Sequence, residues 1–117
     1  MKKIAVILRK PPYGDINAAE AVRHAMGGAG DGLEVSLILL DGGTLLAKKG
    51  QLEEGTGLTN LGSALVDCME MGVGVYAERA SLRQEMLEER DLVDGVKVIN
   101  GTEAGDLIRE SGQTMIF

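Results

Sequence analysis

Five short apolar runs rich in β-branched residues punctuate the chain: KIAVIL (3–8), LEVSLILL (33–40), VGVYA (73–77), VKVIN (96–100) and TMIF (114–117). They are nearly continuous rather than alternating, the pattern of strands covered on both faces. Helix-length segments separate them, and strict β–α alternation specifies a mainly parallel sheet between two helical layers. A three-layer α/β/α sandwich with a five-stranded mainly parallel sheet is therefore expected, as one domain over residues 1–117. A chain of this length buries roughly two-thirds of its surface, enough for a core without disulfides or metal. No internal repeat, linker or low-complexity tract interrupts it.

The connections carry helix signals. Asp15 is placed to cap a helix over about 16–26, with Ile16, Ala19, Val22 and Met26 as its buried stripe. GGAGDG (27–32) reads as the punctuation that ends it. TLLAKK (44–49) is a candidate short helix and GQLEEGTG (50–57) a mobile loop. A helix is expected over about 59–71, with Leu61, Ala64, Leu65 and Cys68 on one face and Gly72 as its stop. Ser81 and Gln84 have capping-box spacing, which predicts a helix starting at Leu82 and leaves 78–81 as an exposed bridge. Thr102 is expected to cap a last helix reaching about Glu110.

The formal charge of −6 argues against non-specific binding to nucleic acid. Residues 1–60 hold seven basic and seven acidic side chains, and 61–117 hold five and eleven, so the excess lies wholly in the second half. A solvated helix face is its ordinary meaning, an acidic docking surface the alternative. The one cysteine excludes an internal disulfide framework and a multi-cysteine zinc site. The apolar run 4–8 after the basic start is far shorter than the ~20 residues of a membrane span, and no small-residue cleavage site follows it. A cytoplasmic, membrane-free protein is expected.

Familiar catalytic signatures are missing. Neither phosphate-binding glycine fingerprint is present, and Arg9 and Lys10 stand where a phosphorelay receiver needs acidic magnesium ligands. His24 follows Glu20 by four residues and reads as an exposed helix pair, on the face away from the apolar stripe. One histidine and one cysteine on different helices make neither a metal site nor a nucleophile–base pair. No metal, no cofactor and no independent catalytic activity are expected. The cations are more informative. Parallel sheets bind ligands at the strand carboxyl ends. Arg9 and Lys10 follow the first strand, with Tyr13 and Gly14 in the turn beyond, while Arg79 and Arg83 follow the third. These six form a candidate edge for a small anion or nucleotide.

Three stretches resemble the DsrE/DsrF-like family of small sulfur-relay proteins, which includes subunits of the tRNA 2-thiouridine sulfur-transfer complex. PPYGDINAAEA is similar to its Pro-x-x-Gly turn and Ala-rich helix, and GVGVYAERASLRQE to its third strand and the bridge ending Ala-Ser-Leu-Arg. The closing apolar strand ending in Phe117 is the third likeness. The resemblance implies strand order 4-3-2-1-5, assembly into trimers or hexamers, and a persulfide-bearing cysteine at the end of the third strand. That position maps to Ala77, or to Glu78 one residue on, and neither carries sulfur. Cys68 does not match the motif; as the sole alternative carrier, it sits on an apolar stripe and reads as a small structural hydrophobe. The resemblance therefore implies a cysteine-less relay subunit that scaffolds or docks cysteine-bearing paralogues, with an anion- or nucleotide-binding module as the alternative.

Overall fold

The computed structural model describes residues 2–50 and 61–117. Strands β1 (Lys3–Leu8), β2 (Glu34–Leu39), β3 (Gly74–Glu78), β4 (Lys97–Ile99) and β5 (Gln113–Ile116) form one sheet in the order β4-β3-β2-β1-β5, with every pairing parallel. Continuous apolar runs produce this because both sheet faces are buried. Ile4, Val6 and Leu8 point into the main core, while Ala5 and Ile7 point into a smaller one opposite. Helices α1 (Asn17–Gly30) and α2 (Leu61–Glu70) pack together on the first face. Short α3 (Arg79–Gln84) follows β3, and α4 (Gly101–Glu110) covers the second face through Ala104. The expected three-layer α/β architecture and strand order are those observed.

Several local expectations are corrected. The buried residues of α1 are Ala18, Ala21, Val22, Ala25 and Gly28, whereas Ile16 and Ala19 face solvent. Asp15 accepts the Asn17 N–H at 2.9 Å, but Ile16 holds the N-cap position without a side-chain cap. Nor does GGAGDG end the helix at its start, since Gly27–Gly30 lie inside it. Gly28 is there for clearance: a Cβ would come within 2.8 Å of Ile4 Cδ1 and 3.0 Å of Val35 Cγ2. TLLAKK contributes to a 3-10 helix over Asp41–Ala47. Most of the expected loop over 50–57, and the first two residues of the helix expected from 59, lie outside the described residues. From Leu61 onward that helix buries Leu61, Leu65 and Cys68 as its spacing requires.

Helix α3 begins at Arg79 rather than Leu82, and no Ser81–Gln84 capping box forms. Of the expected exposed bridge 78–81, Arg79 and Ala80 are exposed, but Glu78 is half-buried and Ser81 buried. Thr102 does not cap α4. Asn100 does, accepting the Glu103 N–H while the Glu103 carboxylate accepts that of Asn100.

Candidate functional site

The pairing register brings all strand carboxyl ends to one edge. Leu8 lies beside Leu39, Leu39 beside Ala77, Glu78 beside Ile99, and Ile7 beside Ile116. Arg9, Asp41, Arg79 and Asn100 therefore all follow strand ends there. Ala77 is fully buried, its methyl group inside the main core. Glu78 is half-buried and ends β3.

A hydrogen-bonded chain joins three of these strand ends. The buried Ser81 hydroxyl donates to Glu78 Oε1 at 2.6 Å and accepts the Asp41 N–H at 2.8 Å. Asp41 takes a left-handed backbone, φ +50°, which a short acidic side chain tolerates better than most. The buried Thr44 hydroxyl donates to its carbonyl at 2.9 Å. The Asp41 carboxylate then receives the Arg9 Nε–H at 3.0 Å. Sequence reasoning missed Asp41 and Ser81. The available signal was Asp-Gly-Gly directly after the second strand, the one acidic group among the first three strand ends besides Glu78.

The six edge candidates divide. Arg9 and Lys10 come together, lining with Asp41, Ile116 and Phe117 a cavity of about 250 Å³. Arg79 instead turns to Glu89, Nη1 to Oε1 at 3.5 Å. Arg83 is exposed in the last turn of α3 and makes no ion pair among the described residues. Tyr13 and Gly14 line a separate apolar depression with Pro12, Ile16 and Leu61. A larger open hollow, about 460 Å³, runs along the outer side of β4 and contains none of these groups.

Cys68 is remote from this edge. It lies near the end of α2, where its carbonyl accepts the Val73 N–H, and so beside the amino end of β3. At ~3.3 Å per strand residue, about 15 Å of sheet separates it from Glu78. Its thiol has no solvent exposure and lies 3.9 Å from the Val22 carbonyl oxygen. Burial, assisted by the neighbouring Asp67 charge, pushes its pKa up to about 11, which suppresses the reactive thiolate.

His24 does meet Glu20 as its i,i+4 spacing suggests, Nδ1 lying 3.9 Å from Oε2, but it is half-buried rather than exposed. Its Nδ1 lies 2.8 Å from the Glu20 carbonyl oxygen, and its ring packs 5.2 Å from that of Phe117. The Glu20 carboxylate takes Arg23 at 2.6 Å, a bond that holds its pKa below the usual range. Among the described residues no group of three His, Cys, Asp or Glu side chains is placed to hold a metal, and no helix is long and apolar enough to cross a membrane.

A parallel sheet between two helical layers, with a polar network across its strand ends, places this chain among the small three-layer α/β proteins. Within this class the chain belongs to the DsrE/DsrF-like family, whose model matches residues 2–117. An uncharacterized protein of Methanopyrus kandleri is 30% identical over 114 residues, spanning 97% of this chain and 93% of the relative. The intracellular sulfur oxidation protein DsrF of Allochromatium vinosum is 29% identical over 132 aligned residues, spanning 100% of this chain and 97% of its own. The crystal structure of the ychN protein from E. coli superposes with a TM-score of 0.91 at 21% identity, covering all of both chains, a likeness of fold.

Proposed function

We propose that this protein is a sulfur-relay subunit without its own carrier, which scaffolds or docks persulfide-bearing partners in the cytoplasm. The observation that carries the reading is the site where a family cysteine would stand. Ala77 is sealed in the core, the Glu78 carboxylate is engaged by Ser81, and the one thiol lies buried at the opposite end of β3. A persulfide must be exposed to donor and acceptor, and no group here meets that condition. The sulfur context is supported by the relative named for intracellular sulfur oxidation.

Intact mass after exposure to inorganic polysulfide tests it. The native chain is expected to gain no sulfur, whereas the unfolded chain gains it at Cys68. Native mass spectrometry with a cysteine-bearing paralogue is expected to yield a stable mixed assembly. Rapid sulfur addition to native protein, lost in Cys68→Ser and passed to an acceptor, would make this chain a carrier and end the scaffold reading.

A second reading is favoured by one specific feature, the cavity shared by Arg9 and Lys10. The chain then serves as a small-anion or nucleotide binding module at its basic edge. Binding at that edge raises the melting temperature as anion concentration increases, by linkage.

A further inference from the structure

Strands β4 and β5 form the two outer edges of the sheet, and these edges are built differently. An open edge displays unpaired backbone groups, which soluble proteins shield with very short strands, lysine or proline. β4 has such shielding: it is three residues long and opens on the exposed Lys97. β5, Gln-Thr-Met-Ile, has neither charge nor proline, and Gln113, Thr114 and Ile116 are exposed.

The ladder fixes which groups of β5 face outward. The Phe117 N–H donates to the Ile7 carbonyl at 2.8 Å, and the Phe117 carbonyl accepts the Arg9 N–H at 2.9 Å, so both point at β1. Successive residues of a strand turn their backbone groups to opposite sides. Met115 therefore faces β1 as well, while Thr114 and Ile116 turn their N–H and C=O groups outward. Among the described residues no strand lies beyond β5 to pair with them. The side chains alternate too. Met115 lies beside Val6 of the main core, whereas Thr114 and Ile116 lie beside Ala5 and Ile7 on the second face, with Ile116 66% exposed.

This outward set is complementary to itself. About a two-fold axis at Met115, Thr114 of each copy stands opposite Ile116 of the other, and each such antiparallel pair exchanges both N–H···O bonds. Every outward group of β5 is then satisfied, and the exposed Ile116 side chain packs on a β-branched neighbour across the strands. We propose that β5 is a two-fold contact between copies of this chain, joining two five-stranded sheets edge to edge. Antiparallel pairing points the two strand-end edges in opposite directions, so both stay open to partners. The contact is closed with two copies, and it can equally join two trimers into a hexamer.

Residue-resolved amide hydrogen exchange on the full chain provides the test, with light scattering for mass. In the associated wild type, Thr114 and Ile116 are expected to exchange as slowly as Met115 and Phe117. Thr114→Pro removes only an outward N–H, a position where an edge strand tolerates proline, so the β1–β5 ladder is kept. In that variant Ile116 is expected to lose its protection while Met115 and Phe117 keep theirs, and association across the two-fold weakens about tenfold or more. Thr114→Val, which retains the N–H, is expected to associate as the wild type does. A wild-type oligomer in which Thr114 and Ile116 exchange freely beside a protected Met115 would overturn the β5 contact, as would a monomer or a plain trimer. So would a Thr114→Pro variant that is folded by circular dichroism and associates with unchanged affinity. If that variant does not fold, the wild-type exchange pattern decides alone.

Discussion

Two glycines show how much a single position decides. At Gly43 a Cβ would overlap the Leu8 carbonyl oxygen, and backbone cannot swing aside as a side-chain tip can. Gly43→Ala is expected to destabilise the protein by roughly 1–3 kcal/mol or more and to disturb the neighbouring Asp41–Arg9 bond. Gly27 is an exposed helical residue whose Cβ would meet nothing within 4 Å. Gly27→Ala is expected to stabilise by about 0.5–1 kcal/mol, because alanine loses less backbone entropy in a helix. Urea titrations of both variants check the opposite signs. Cys68 yields a pH prediction. Its pKa is raised from 9.0 to about 11 in the folded protein, so folding favours the neutral thiol. That contribution is intact below pH 9 and is lost as pH rises toward 11, on the order of 2 kcal/mol. The wild type should therefore lose more stability across this window than Cys68→Ala, whose own starting stability is lower. Parallel slopes for the two proteins would contradict a buried neutral thiol.

At the level of elements, the start of α4 is the cleanest test. Asn100 and Glu103 satisfy each other's backbone N–H groups, so Asn100→Ala is expected to cost about 1 kcal/mol in urea unfolding, and Thr102→Ala, exposed and outside the cap, much less. The same contrast explains what could be read from the residues alone. Strands were legible because burial on both faces leaves an unbroken apolar run, as in KIAVIL, and their alternation with helices leads to the sheet. Helix starts were less legible because several polar residues compete within one turn and tertiary partners choose between them. Ser81 has the spacing of a cap, yet its hydroxyl is taken by Glu78 and by the backbone of Asp41, 40 residues away. Gly27–Gly30 read as a stop, although Gly28 is the clearance that lets α1 approach β1 and β2. The candidate edge was half legible. Arg9 and Lys10 follow from the strand-end rule, but the Arg9–Asp41 bond spans 32 residues and depends on sheet register, which no local pattern encodes.

For the whole molecule the open question is what its remaining apolar surface does. Met71, Tyr76, Met86, Met115 and Phe117 are more large apolar groups than so small a core requires, and the fold separates them. Met115 and Phe117 pack against the main core and Tyr76 against the smaller one, so only Met71 and Met86 stand out in solvent. Tyr13, Ile16 and Ile116 join them. Met86 is the sharpest case, 89% exposed on a left-handed backbone of φ +58°, a conformation that costs an unbranched residue about 1 kcal/mol. The second sheet face adds to this, having α4 as its only described helical cover. Apolar surface of this kind on a soluble chain tends to mark an interface between copies. A homo-oligomer is therefore expected at micromolar concentration, and the family resemblance implies a trimer or hexamer. Small-angle scattering discriminates well, because the single chain has a Cα radius of gyration of 13.1 Å. Compact scaling gives roughly 20 Å for a trimer and roughly 27 Å for a hexamer. Met86→Glu and Ile16→Glu, both at exposed positions, should leave the monomer fold intact and move the radius toward the single-chain value where they lie in the contact. A wild-type radius near 13 Å, with a monomer mass by light scattering, would show that these side chains meet no second copy.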